Sequence, residues 1–178
     1  MPDTAPESCE DLLRTAGCSR KVIDHCKAVR DCALSYARRC KNADLSLVEA
    51  GAMLHDIGRS VTHSIAHAQA GADLLRKKGF PEDIVRIVEC HTGAGLTAEE
   101  CVALGLDARD CVPKTIEEKI VAHADNLMAG TRLMTIDECL LKAAHLPEEA
   151  RQRMAALSQE VERLCPKEGA PAQEFRKK

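Results

Sequence analysis

Ala52-Met53-Leu54-His55-Asp56-Ile57-Gly58 closes a helical stretch that opens near Ser46 and carries Leu47, Ala50 and Leu54. The segment is apolar up to Leu54, then sets an imidazole beside a carboxylate, and then reaches a glycine, a natural helix stop. Adjacent helical residues diverge by about 100°, so His55 and Asp56 can serve one ion only where the helix is ending, and Gly58 places that end there. An imidazole and a carboxylate at such a corner suit a hard-to-borderline metal ion.

Outward from this corner the chain reads as helices. Ser8 caps a short helix to Gly17, an N-terminal brace. Ser19 caps a long one to about Lys41, with Val22, Cys26, Val29, Ala33 and Tyr36 on one face. The cations that close it (Arg38, Arg39, Lys41), like Arg76-Lys77-Lys78 before Gly79, read as complements to a helix dipole, with a phosphate patch as the alternative. A helix from about Ser64 to Lys78 follows, then one carrying Ile84, Ile87, Val88 and His91 before Gly93. Thr97 caps a small helix to Gly105, and Thr115 with Glu118 forms a capping box opening a helix from Ile116 to about Ala129. Thr135 and Pro147 open two last helices, which either cover the core or form a homodimer face. The expected fold is all-α, a compact bundle of about six to eight helices. Its divisions are an N-terminal segment with short helix (1–19), a main domain (20–146), a C-terminal helix (147–166) and a disordered tail (167–178).

The composition agrees with one helical domain. The chain has 178 residues, 45% of them hydrophobic and 30% charged, enough to fill one core and too ordered in composition for a disordered protein. Aromatics are 2% (Tyr36, Phe80 and Phe175), which leaves little material for β-sheets. Lys and Arg total 25 against 28 Asp and Glu, a net charge of −3 without charged blocks, which argues against a general nucleic-acid coat. No apolar run approaches the length of about 18 residues needed to span a bilayer, and no basic start followed by an apolar run marks a signal peptide. A cytoplasmic protein without a membrane partner is therefore expected. The ten cysteines contain no C-x-x-C pair, so they read as reduced core residues, as Cys26 and Cys32 do on the apolar face of their helix.

Further candidates lie on apolar faces. His25 follows Val22 by three and precedes Val29 by four, and His91 follows Val88 by three. Asp125 stands four after Val121 and three before Met128, pointing inward, with no Lys or Arg three or four residues away. A buried carboxylate needs a cation, a metal or several donors, a distant arginine being the bland alternative. His63 and His67 are four apart, and Ala70 and Gly71 beside His67 are small enough for close helix approach.

The ordered set His25, His55-Asp56, Asp125 resembles the H…HD…D signature of the HD-domain metal-dependent phosphohydrolases. Residues 52–58 are similar to that family's "LLHDIG" helix end, and Ala122-His123-Ala124-Asp125 to its "ADxL" helix; the resemblance covers roughly residues 20 to 146. His67 and His91 resemble the added ligands of the binuclear subgroup, which includes bacterial enzymes that split dinucleoside tetraphosphates. Overall the chain is most similar to a group of small, mostly archaeal HD proteins of unassigned substrate.

The resemblance implies that His25, His55, Asp56 and Asp125 hold a first divalent transition metal and His67 and His91 a second, with Asp56 bridging. Iron or manganese is favoured, with cobalt and nickel as alternatives. It implies hydrolysis of a phosphoester or phosphoanhydride of a nucleotide or related small molecule by a metal-activated water. Asp56 and Arg59 are then the catalytic residues. Arg59 is the candidate grip on a phosphate oxygen or else a solvated loop cation, and Arg132 and Lys119 are weaker substrate-binding candidates. Asn126 orients substrate or supports Asp125. His63 and His123 have no counterpart in the pattern. Two other readings use the same ligands: a di-iron oxygenase of HD type, and a non-catalytic nucleotide-binding module in which metal is a staple.

Overall fold

The computed structural model describes residues 8–167 and consists of helices with one two-stranded hairpin. The helices are α1 (Cys9–Ala16), α2 (Arg20–Ala37), α3 (Leu45–Leu54), α4 (His67–Lys77), α5 (Glu82–Cys90), α6 (Ala98–Ala103), α7 (Ile116–Asn126), α8 (Ile136–Lys142) and α9 (Glu148–Leu164). Short 3-10 turns follow α3 (Ile57–Ser60) and α8 (Ala143–His145). The helical class is as expected, and the nine α-helices among the described residues are one more than the six to eight expected for the bundle; the two shortest are α6 and α8. Each of these is opened by a reciprocal capping box, Thr97 with Glu100 and Thr135 with Glu138. The expectations for residues 1–7 and 168–178 lie outside the described residues.

Two large apolar clusters fill the interior, and a small third one gathers Cys90, Cys101 and Cys111. One of the large clusters joins the second half of α2 to α3, α7 and α9 through Val29, Ala33, Val48, Val121, Leu157 and Val161. The other joins α1 and the start of α2 to α3, α4 and α5 through Leu13, Ile23, Leu54, Leu75 and Val88. Helix α3 belongs to both, so the corner it ends in lies deep in the molecule. The last helix covers the core, burying Met154, Leu157 and Val161. No described helix is long and apolar enough to cross a membrane. All ten cysteines are free thiols, and burial pushes Cys32 up to about 11 and Cys165 to about 12, so these behave as small apolar residues.

Several boundaries differ from the sequence reading, each for a local reason. Helix α7 stops at Asn126 rather than Ala129, because Met128 and Ala129 pair antiparallel with Leu133 and Arg132 around Gly130, whose φ of +64° favours glycine. At the start of α7, Thr115 accepts from the Glu118 amide, but the Glu118 carboxylate turns to the Lys114 amide instead, so the box is not reciprocal. Helix α2 ends at Ala37; Arg39 lies over the Tyr36 ring at 4.6 Å and donates from Nε to the Ser35 carbonyl. Arg76 does more than complement a dipole. It bonds both Glu82 and the buried Glu89, which Arg86 and Arg109 also reach, and so fastens α4 to α5.

Gly58 has a different role from the one its position suggests. Its φ is not positive, so it is no left-handed cap. A Cβ there would stand 1.9 Å from the His67 carbonyl oxygen and 2.6 Å from the Gly71 nitrogen. Conversely, a Cβ on Gly71 would stand 3.0 Å from the Gly58 nitrogen. The two glycines let the backbone of α4 rest on the corner after α3, and this contact sets His67 beside Asp56.

Candidate metal centre

Four imidazoles and two carboxylates converge where α2, α3, α4, α5 and α7 meet. His25 comes from the middle of α2, and Asp125 from the last turn of α7. His55 and His91 are the residues that close α3 and α5, Asp56 follows in a bridge conformation (φ −98°, ψ 13°), and His67 opens α4. Among them His55, Asp56, His67 and His91 are buried, while His25 and Asp125 face a partly open side.

The orientation of the rings is fixed by main-chain carbonyls. Nδ1 of His55, His67 and His91 lies 2.7, 2.8 and 2.7 Å from the carbonyl oxygen of the third residue before it: Ala52, Ser64 and Val88. Nδ1 of His25 lies 2.7 Å from the carbonyl of Gly130, at the turn of the hairpin. A carbonyl only accepts, so every Nδ1 carries the proton and a neutral ring then presents a bare lone pair at Nε2. Those lone pairs face one another: His67 Nε2 lies 3.0 Å from His91 Nε2, and His25 Nε2 lies 3.3 Å from His55 Nε2. Two acceptors at such distances repel unless a cation or a proton lies among them.

The carboxylates divide this cluster in two. Asp125 Oδ1 is 2.9 Å from His25 Nε2 and 3.5 Å from His55 Nε2. Asp56 Oδ2 faces the same pair at 3.9 and 3.8 Å. Its other oxygen, Oδ1, lies 3.1 Å from His67 Nε2 and 3.5 Å from His91 Nε2, and is buried with no hydrogen-bond donor. The donor atoms of His25, His55 and Asp125 all fall within 4.8 Å of one another, as do those of His55, Asp56 and His91. These spacings suit two cations sharing Asp56, and the orphaned Oδ1 and opposed Nε2 atoms fit such ions better than they fit an empty core.

The protonation balance points the same way. Burial disfavours charge on His25 and His55, yet Asp125 outweighs it at His25, and Cys26, Asp56 and Asp125 together do so at His55, so both rings are raised above the ordinary histidine value. Burial would raise the two carboxyls, but the surrounding imidazoles hold both well below the usual carboxylate range. His91, by contrast, is pushed down by its burial. A site that draws positive charge this strongly onto paired rings will also draw a divalent cation.

Of the other candidates, the fold brings Arg59 to the cluster: its Nε donates to Asp56 Oδ2 at 2.8 Å and its Nη1 to the His63 carbonyl at 3.3 Å. Arg132 and Lys119 have other partners. Arg132 is exposed on the hairpin and pairs with Glu138 at 3.2 Å, and Lys119 pairs with Glu160 of α9 at 2.9 Å. Asn126 donates to the Gly93 carbonyl at 2.8 Å and so ties the end of α7 to the loop after His91. His63 is exposed; His123 is buried away from the ligands, edge-on to Tyr36. The sequence reading missed the Gly130 carbonyl behind His25, for which a tight turn after the Asp125 helix was the available signal.

A helical bundle with this ligand geometry defines a metal-binding domain, and comparison places it in a family. The HD domain family matches residues 22–130, so the chain belongs to the HD domain family. It is 50% identical over 129 residues to "Uncharacterized protein MJ0778" of Methanocaldococcus jannaschii, covering 70% of this chain and 76% of that one. It is 46% identical over 159 residues to a tRNA (cytidine(56)-2'-O)-methyltransferase of Thermoplasma volcanium, covering 88% of this chain but 46% of that protein. The chain thus spans under half of the methyltransferase it resembles. Among solved structures, the HD domain of the L. monocytogenes phosphodiesterase PgpH superposes with a TM-score of 0.57 at 14% identity, covering 92% of this chain and 99% of that one. That likeness concerns the fold.

Proposed function

We propose that this chain is a metal-dependent phosphohydrolase acting on a nucleotide or related small phosphoester. The observation that carries the reading is the pair of opposed Nε2 contacts around one carboxylate whose oxygens face different histidine pairs. His25, His55, Asp125 and Asp56 Oδ2 would hold one divalent transition metal; His67, His91 and Asp56 Oδ1 would hold the second. When bound, two such ions lower the pKa of a water and stabilise the attacking and leaving oxygens of a phosphoryl transfer. The chain's own residues contribute positioning. The four carbonyls hold each imidazole in the tautomer that exposes Nε2, the burial of His55, His67 and His91 keeps bulk water from that side, and Arg59 steadies the shared carboxylate. A solved neighbour is described as a phosphodiesterase in complex with cyclic-di-AMP, a nucleotide, and the proposal takes the same chemical class of substrate.

The test is turnover of a panel of mononucleotides, cyclic nucleotides and dinucleotides by protein kept reduced and reconstituted with iron or manganese. Release of phosphate or of a nucleoside monophosphate supports the reading. Oxygen consumption without such release assigns the di-iron oxygenase instead, and binding without turnover assigns the non-catalytic module.

Arg59 gives a sharper local expectation. Arg59→Ala removes one charge-assisted hydrogen bond from Asp56, so metal affinity should fall by about tenfold with the helices intact. Unchanged affinity with a raised KM would put Arg59 on the substrate alone. Acid should strip the two positions in order. Metal ligation requires unprotonated rings, and His25 and His55 are raised above 6.5 whereas His91 is lowered. Affinity therefore falls as pH drops, and the weakening begins at higher pH for the ion at the His25–His55 pair, which should leave first. Metal per chain after stepwise dialysis measures this, and loss in the reverse order would contradict the assignment.

A further inference from the structure

Away from the metal ligands, α2, α7, α9 and the segment after the hairpin enclose a groove of about 360 Å³, inside the size range of small-molecule sites. One wall is aliphatic: Leu127, Leu133, Met134 and Ile136. The other is polar and built on Tyr36, Arg39, His123 and Glu162. His123 is 1% exposed, and neither of its ring nitrogens has a hydrogen-bond partner. Its Nε2 stands 4.0 Å from Glu162 Oε1, too far for a bond, while that oxygen accepts from the Tyr36 hydroxyl at 2.6 Å. A buried donor or acceptor left unsatisfied loses its hydration without replacement, so the ring calls for a partner that enters from the groove. Arg39 stacks on Tyr36 and uses Nε on the Ser35 carbonyl. No ion pair engages its guanidinium among the described residues, and Lys167 lines the same groove.

We infer that this groove binds a nucleoside monophosphate. The aliphatic wall takes the flat, weakly polar face of a base. The space between His123 and Glu162 takes the sugar hydroxyls, since a hydroxyl can donate to the carboxylate and also bond the imidazole, as acidic residues bind ribose elsewhere. The unpaired end of Arg39 takes the phosphate, to which a guanidinium can donate two parallel hydrogen bonds. An apolar carboxylate would satisfy Arg39 and the aliphatic wall but leave His123 unpartnered, which is why a sugar phosphate is favoured. The groove meets the metal site through two elements: α7, which carries both His123 and Asp125, and the hairpin, which carries Leu133 and the Gly130 carbonyl behind His25.

The experiment is calorimetric titration of the full chain, treated with chelator, with AMP, GMP, CMP and UMP in turn and inorganic phosphate as control. At least one nucleotide should bind one to one and more tightly than phosphate. Arg39→Ala should weaken it at least about tenfold, the loss of a charge-assisted pair, and the exposed Glu162→Gln should weaken it severalfold, with circular dichroism unchanged in both. Asp56→Ala should leave the affinity as it is. No binding by any of the four, equal affinity in Arg39→Ala, or loss of binding in Asp56→Ala would overturn the inference. Because metal-free protein is used, the outcome is independent of the hydrolase reading.

Discussion

Replacing Asp56 by alanine should empty both metal positions at once and abolish hydrolysis, while the helical content survives. Its two oxygens face different histidine pairs, so removing this one side chain takes a donor from both halves. The variant also removes the charge that, with Asp125, offsets the buried imidazoles, leaving four rings with opposed lone pairs and little to draw a cation in. Asp125→Ala should behave differently. It takes a donor from the His25–His55 half alone and should leave the His67–His91 half loaded. Elemental analysis of both variants, with circular dichroism as the check on fold, separates these outcomes. Retention of one ion by Asp56→Ala would show that the carboxylate is not shared.

Gly58→Ala should damage both the fold and the site with a single methyl. The added Cβ would stand 1.9 Å from the His67 carbonyl oxygen, a backbone atom that cannot rotate aside, so α4 must move. Overpacking of this kind costs about 1–3 kcal/mol, and a clash with main chain belongs at the upper end. The functional cost is larger than the stability cost, because the displaced element carries His67. The expected result is a lower Tm together with loss of the ion at the His67–His91 half, the His25–His55 half remaining loaded. A variant with unchanged Tm and unchanged metal content would mean that the glycine contact does not set the site. Gly71→Ala, whose Cβ would meet the Gly58 nitrogen at 3.0 Å, should show the same pattern more weakly.

What the sequence makes legible follows from what is local. Helices and their capping residues depend on neighbours three and four positions away, so Ser8, Ser19, Thr97, Thr115 and Thr135 stand as N-caps where they were expected. The inward residues His25, His91 and Asp125 are readable from helical spacing, and the fold brings them together with His55, Asp56 and His67. Long-range partners are not local and were missed. Nothing in the order of residues couples Gly130 to His25, 105 positions apart, or gathers Arg76, Arg86 and Arg109 on Glu89. Gly58 is the instructive intermediate case. Its place at a helix end suggests a cap, whereas the conformation is ordinary and the requirement is for the space that α4 occupies. Arg132 and Lys119 looked available only because their partners Glu138 and Glu160 belong to other elements.

The most direct test of a shared-carboxylate, two-ion centre is the transition-metal content per chain of protein purified without chelator and kept reduced. The account predicts two ions per chain, falling to one in His91→Ala. No bound metal after reconstitution with iron or manganese, or a single ion that His91→Ala leaves in place, would contradict it.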